Sequence, residues 1–370
     1  MSYADALLDW LACAAAGRDE PAARAARAIG DPVVAAGAAG HVLDFDDTFL
    51  PGLAHLSAPT APVALVLGAE VGASVGEALA AYAAGFEAMG ALAASSHPAL
   101  YERGFHPTSV CGTVGAAVVA ARLLEADERT ASAGALLGAG GLRAAFGSDG
   151  KALQVGMAAA AGLRAARLAA AGASVPLERV GRGFEDAYRG RFVSPRGGGA
   201  AASENWIKAY PCCLQAHSAI EASERARSHG LAPDEPVTAT VHPISIAAAS
   251  YGEPEDGLQA KFSIPYLVAY TLLHGPPSVE SFAQLDATAL AGVARVEVRT
   301  DRSLLESEAR LAADGRELAR VEAALGSPAR PMSSDQLARK VRSLSGGRLD
   351  GALDDPDRPA GELLEAAGLA

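Results

Sequence analysis

Asp44, Asp46, Asp47, Thr48 and His55 place three carboxylates, a hydroxyl and an imidazole within a dozen residues of a chain otherwise rich in Ala and Gly. Asp44, Asp46 and Thr48 have the Asp-x-Asp-x-Thr spacing of aspartyl-phosphate chemistry. There one carboxylate attacks phosphorus, the second transfers protons and Mg²⁺ neutralises the phosphoryl group. Such a phosphatase loop follows a short, buried, β-branched strand. The residues upstream, 33–43, are instead a long run rich in Ala and Gly that reads as a helix. The spacing fits phosphatase chemistry, and its context argues against it.

Other residues carry chemistry at a distance. Pro107 suits the first position of a helix, which puts His106 at that helix's N-terminus. The unpaired N–H groups there lower an imidazole's pKa, leave it neutral and able to accept a proton, and can hold a carboxylate. The bland alternative is a capping histidine. Lys151 follows Gly147-Ser148-Asp149-Gly150 at the mouth of another Ala-rich helix, an arrangement that suits an anion or, more blandly, an exposed lysine beside a capping Asp149. Lys208, between Trp206 and Tyr210-Pro211, could clamp a carboxylate or sit on a rim. Asp44 cannot clamp an anion, so it orients an imidazole or hydroxyl or acts as a base. For Asp46 and Asp47 the bland reading is helix capping and surface solvation, which is preferred for Asp47, and Phe45 reads as core. Tyr266 could deliver a proton to a leaving hydroxyl. Cys213 and His217 have i, i+4 spacing, but no CxxC or HExxH accompanies them, so no metal or other cofactor is expected. His41, His97, His229, His242 and His274 read as structural or solvent-facing.

Five segments taken together resemble the MmgE/PrpD family. They are His41-Val42-Leu43-Asp44-Phe45-Asp46-Asp47-Thr48, Gly104-Phe105-His106-Pro107-Thr108, Lys151 with Gly156-Met157-Ala158-Ala159, Lys208-Ala209-Tyr210-Pro211-Cys212-Cys213 with His217, and Lys261-Phe262-Ser263-Ile264-Pro265-Tyr266. They occur in the family's order over about residues 40–270. The resemblance implies a cofactor-independent lyase that removes a proton α to a carboxylate of a small di- or tricarboxylate. Asp44, Thr48, His55, His106 and Tyr266 are then the catalytic positions, and Lys151, Lys208 and Cys213 the substrate-binding ones. The expected branch is a hydro-lyase of the 2-methylcitrate dehydratase type. Decarboxylation of cis-aconitate and epimerisation of iminodisuccinate are the alternatives on the same scaffold, and a carboxylate binder without catalysis is another. Decarboxylating members tend to carry His where Cys213 stands. The resemblance also implies a homodimer. Only 43 residues precede Asp44, fewer than the family pattern has, so missing helices and an altered dimer surface are expected.

Composition fits this picture. The 370 residues suggest two domains, and 50% apolar content with few aromatics suggests tight helix packing through Ala and Gly. A net charge of −12 without a basic stripe argues against nucleic acid. Four cysteines, two adjacent, give no disulfide framework, so a reducing, cytoplasmic setting is expected. The segment Ala6-Leu7-Leu8-Asp9-Trp10-Leu11-Ala12 lacks the basic start of a signal peptide, and no run is expected to span a membrane.

Helical spacing recurs in 58–72, 76–96, 107–125 and 151–172. Ser194-Pro195-Arg196-Gly197-Gly198-Gly199 reads as a linker. Beyond it, 237–242, 293–299 and, more weakly, 317–323 alternate with period two, with helical patterns at 213–228 and 257–273 and a tail helix near 334–345. The expected architecture is mainly α: a large all-helical domain (1–206 and 331–370) with an inserted, smaller α+β lid (207–330).

Overall fold

The structure, a computed structural model, describes residues 2–192 and 199–370. The linker reading at 194–199 lies outside the described residues, Gly199 apart. Helices α1 (Tyr3–Gly17), α2 (Pro21–Ala28) and α3 (Pro32–His41) open the chain. Ser2 and Asp5 close a capping box on α1, and Asp31 accepts from the N–H groups of Val33 and Val34 at the start of α3. Next come α4 (Ser57–Val71), α5 (Val75–Ser96), α6 (Ala99–Glu102), α7 (Pro107–Leu123), α8 (Glu128–Leu137), α9 (Gly150–Ala170), α10 (Leu177–Tyr188) and α11 (Ala200–Glu204). The helices expected within 57–172 therefore form. α5 has the length and composition to cross a membrane, which the sequence reading did not anticipate, but 56% of that stretch is buried inside the protein, as in a core helix.

Small residues let the helices around the acidic turn approach backbone to backbone. A Cβ on Gly37 of α3 would stand 2.8 Å from Gly156 Cα of α9, and one on Gly156 would stand 2.5 Å from Val34 O. The ring of Trp10 occupies the space that a side chain at Gly40 would need. The close crossing of α3 and α9 carries Lys151, at the start of α9, to the end of α3.

The second half contains α12 (His217–Ser228), α13 (Pro243–Ala248), α14 (Gly257–Ala260), α15 (Ile264–His274) and α16 (Ala287–Gly292). Its sheet is built from β3 (Val237–Val241), β4 (Val296–Thr300), β5 (Ala309–Ala313) and β6 (Arg316–Val321), in spatial order β4-β3-β5-β6. β3 pairs parallel with β4 and antiparallel with β5, which pairs antiparallel with β6. Val237, Ala239 and Val241 point inward while Thr238 and Thr240 alternate outward, the period-two pattern of a one-sided sheet. β5 was not anticipated, because its Ala-Arg-Leu-Ala-Ala lacks the β-branched residues that mark strands. The tail returns to the first half through α17 (Ser334–Ser345) and α18 (Gly361–Ala367).

Two findings correct the expected architecture. The first half is not all-helical: Thr48–Phe49 (β1) pairs antiparallel with Asn205–Trp206 (β2). Two-residue strands are too short to show a period. Nor does the α+β part stand apart as a lid. Lys208 and Lys261 reach the turn after α3, and Tyr101 from the first half packs in the second apolar cluster. The fold is mainly α with two small sheets.

Replacing Gly156 by Ala should cost about 1–3 kcal/mol through overpacking against Val34. Gly183→Ala on α10, where a Cβ meets nothing within 4 Å, should be neutral or stabilise by up to about 1 kcal/mol. Denaturant unfolding of both variants checks the contrast.

Candidate active site

α3 ends at His41, and Asp44 then turns the chain with a left-handed φ of 52°, a conformation that Asp tolerates better than most side chains. Three lysines from distant segments hold the carbonyls of this turn. Lys261 Nζ donates to Leu43 O at 2.8 Å, Lys208 Nζ to Asp44 O at 2.8 Å, and Lys340 Nζ of α17 to Phe45 O at 2.8 Å. Cations are favoured there because a helix C-terminus presents unpaired carbonyls and negative potential. Lys340 also pairs with Asp9 at 2.6 Å and stands 3.9 Å from the centre of the Phe45 ring.

The Asp44 carboxylate sits at the middle. Its Oδ1 accepts from Lys151 Nζ and from Lys208 Nζ, each at 2.9 Å, while its Oδ2 is buried without a hydrogen-bond partner among the described residues. Burial alone would raise the pKa of this group, but the two ammonium groups hold it well below the usual carboxylate range. Burial opposes a charge on Lys208, and Asp44 more than compensates. Burial brings Lys261, by contrast, down to about 8.

Asp46 bridges two imidazoles. Its Oδ2 lies 2.9 Å from His41 Nδ1 and 3.3 Å from His55 Nδ1. Lys151 Nζ donates to His41 Nε2 at 2.9 Å, so His41 carries its proton on Nδ1 and donates it to Asp46. A proton on His55 Nδ1 likewise faces the Asp46 carboxylate, with Thr48 Oγ1 3.4 Å away. His55 Nε2, 3.7 Å from Asp44 Oδ1, then carries the lone pair. Asp46 stays ionised because the two histidines outweigh its burial. His55, desolvated and near Lys151 and Lys208, falls to about 3 despite Asp46, and His41 is lowered by burial. His106 stands at the N-cap position of α7, before Pro107, but its side chain makes no capping hydrogen bond. Burial, then Lys151 and the neighbouring histidines, hold it well below 6.5.

Asp44, Thr48, His55, His106, Lys151, Lys208 and Cys213 all line one cavity of about 40 Å³. Its aromatic walls include Phe146 and Phe262, each with its ring centre 5.5 Å from Lys151 Nζ. The cavity has room for roughly three water molecules. Tyr266 is not brought here: its hydroxyl accepts from the N–H of Asp286 at 3.0 Å, away from the cavity lining. Lys151 is buried rather than exposed, and Asp149 makes no side-chain cap.

Several contributors were missed. The sequence reads His41 as structural or solvent-facing and does not place Asp46 among the site residues, yet the two are hydrogen-bonded to each other beside His55. His41 stands three residues before Asp44 in the quoted motif, a signal that was available. Lys261 enters the sequence reading only as part of a segment, and Lys340 has no local signal. Asp47 is fully buried, not solvated. It accepts from Asn205 Nδ2 at 2.5 Å and Ser57 N at 3.1 Å, and burial followed by Asp46 pushes it up to about 8. His41, Asp46 and His55 are close enough to share a cation. The direct imidazole–carboxylate hydrogen bonds, with an ammonium on the other nitrogen of His41, fit a proton relay better. The helix before Asp44 also removes the strand that a phosphatase loop needs.

The MmgE/PrpD N-terminal domain matches residues 30–191 and the MmgE/PrpD C-terminal domain matches residues 210–359. The chain belongs to the MmgE/PrpD family. Within that family it is 30% identical to mouse (Mus musculus) cis-aconitate decarboxylase over 271 residues, 66% of this chain and 55% of the relative. It is likewise 30% identical to the human (Homo sapiens) enzyme over 270 residues, 66% of this chain and 56% of the relative. The chain spans about half the length of the curated relatives it matches.

Buried neutral histidines set a pH dependence of stability. His41, His55, His106 and His217 all have lowered folded pKa values. Below about 6.5 the unfolded chain takes up protons that the native state refuses, so each destabilises by up to about 1.4 kcal/mol per pH unit of acidification. Asp47 has the opposite sign, since its raised pKa costs stability as pH climbs towards 8. Denaturant midpoints should therefore be lower at pH 5 than at pH 6.5, and Asp47→Asn should flatten the decline between pH 6.5 and 8.

Proposed function

We propose that this protein is a lyase that removes a proton α to a carboxylate of a small di- or tricarboxylate, with dehydration of the 2-methylcitrate type as its branch. The observation that carries this reading is the convergence of Asp44, Lys151, Lys208, His55 and His106 on one buried cavity. A substrate carboxylate binds against the Lys151 ammonium, which lines the cavity. His55 Nε2, backed by Asp46, takes the α-proton and becomes an imidazolium beside two carboxylates. The electron pair moves into the carboxylate as an enediolate, stabilised by Lys151 in a water-poor site. The pair then expels the β-hydroxyl, and His55 returns the proton to that oxygen so that water leaves. No cofactor enters this scheme.

Decarboxylation is the second reading, favoured by the curated relatives, which are cis-aconitate decarboxylases. Cys213 tells against it. It stands where decarboxylating members tend to carry His, and burial pushes its thiol up to about 11, leaving it neutral. The proposal includes a cytoplasmic setting, supported by four free cysteines, and a homodimer, which rests on the family resemblance alone.

Incubation with 2-methylcitrate, citrate, cis-aconitate and iminodisuccinate in D₂O, followed by proton NMR, separates the branches. The expected result is loss of an α-proton signal with release of an unsaturated acid from the hydroxy acid. His55→Gln should slow this by about 10²–10⁴-fold. Absence of exchange or turnover with every acid tested removes the proposal.

A further inference from the structure

Gln154 lies one turn after Lys151 on α9, and its side chain touches both His106 and Leu142 in the loop before α9. Its Nε2 is 2.8 Å from His106 Nδ1. The orientation of this amide is not arbitrary. Its Oε1 accepts from the backbone N–H of Leu142 at 2.8 Å, and a backbone N–H can only donate. Its Nε2 also donates to Leu142 O at 3.2 Å. Turning the amide over would set Nε2 against the Leu142 N–H and Oε1 against the Leu142 carbonyl, losing both bonds. The NH₂ group therefore faces His106, and Nδ1 must accept. Further bonds hold the frame: His106 N donates to Gly141 O at 3.0 Å, and Ser109 Oγ donates to Gln154 O at 3.1 Å.

We propose that Gln154 is a positioning residue that locks His106 as the Nε2–H tautomer, so that His106 presents a hydrogen-bond donor to the substrate and not a base. His106 lines the cavity, and Nδ1 is occupied, so Nε2 is the nitrogen left for what binds there. A neutral imidazole does not give up its second proton at ordinary pH. His106 thus stays Nε2–H throughout, and its bond shortens onto the carboxylate oxygen that gains charge when the α-proton leaves. The same frame leaves proton transfer to His55, whose lone pair is on Nε2. The two cavity histidines then differ in role because their second partners differ: a carboxylate behind His55 and an amide N–H behind His106. This inference rests on the α-proton reading for its catalytic consequence, but the tautomer itself does not.

Two-dimensional ¹⁵N–¹H spectra of the imidazole rings, with the His106 signals assigned through His106→Gln, test it without substrate. The wild type should show His106 protonated on Nε2 and unprotonated on Nδ1 between pH 6 and 8. In Gln154→Glu, a carboxylate at the same place should move the proton to Nδ1. With the best substrate from the D₂O screen, that variant should lose about a hundredfold in kcat, the scale of one lost oxyanion donor, with a much smaller change in KM. Gln154→Met keeps the volume and should show a mixture of tautomers. A wild-type His106 protonated on Nδ1, or an unchanged tautomer in both folded variants, overturns the proposal. If the tautomer shifts as expected but no acid in the screen exchanges its α-proton, the α-proton reading fails and the Gln154 assignment stands.

Discussion

A carboxylate buried between two ammonium groups is the constraint on which this site depends. Asp44 is 2% exposed, and Lys208 and Lys151 are 1% and 6% exposed. None of the three can be buried charged without the others, because desolvating a lone ion costs several kcal/mol. Yet Asp44 comes from the end of α3, Lys151 from the start of α9 and Lys208 from just beyond β2. Satisfying one charge triad therefore fixes three distant pieces of chain relative to one another. The lysines on the carbonyls of Leu43, Asp44 and Phe45 extend the same logic to the backbone.

That arrangement divides labour among the ionisable groups. Asp44 and Lys208 neutralise each other in place, leaving Lys151 with one face on Asp44 and His41 and another toward the cavity. Asp46 orients His55 from behind while sharing its charge with His41. The histidines stay neutral because desolvation, helped by Lys151, outweighs the nearby carboxylates.

Much of this was legible in the chain. Periodicity located the helices around the site because Ala-rich runs with Gly or Pro boundaries leave few alternatives, and Pro107 placed His106 at a helix start. The spacing of Asp44, Thr48 and His55 marked the acidic turn. What was not legible depends on contacts with no local trace. His41 reads as structural and Asp47 as solvated from sequence alone, because burial is a property of the packed molecule. Tyr266 belongs to a quoted segment yet faces Asp286, since a helix of eleven residues offers several faces and the motif does not say which one turns inward. The strand pair of Thr48–Phe49 with Asn205–Trp206 spans two residues on each side, below the length at which alternation can be seen. Lys340 lies 296 positions beyond Asp44, and only the packed fold brings the tail helix to the turn.

The claim that Asp44 organises the site is tested most directly by a double-mutant cycle in denaturant unfolding. Asp44→Asn leaves two buried ammonium groups without their counter-charge and should cost about 3–5 kcal/mol, with part of that loss recovered when Lys208→Met is added. A cost for Asp44→Asn below about 1 kcal/mol, or strictly additive effects of the two changes, would contradict the account.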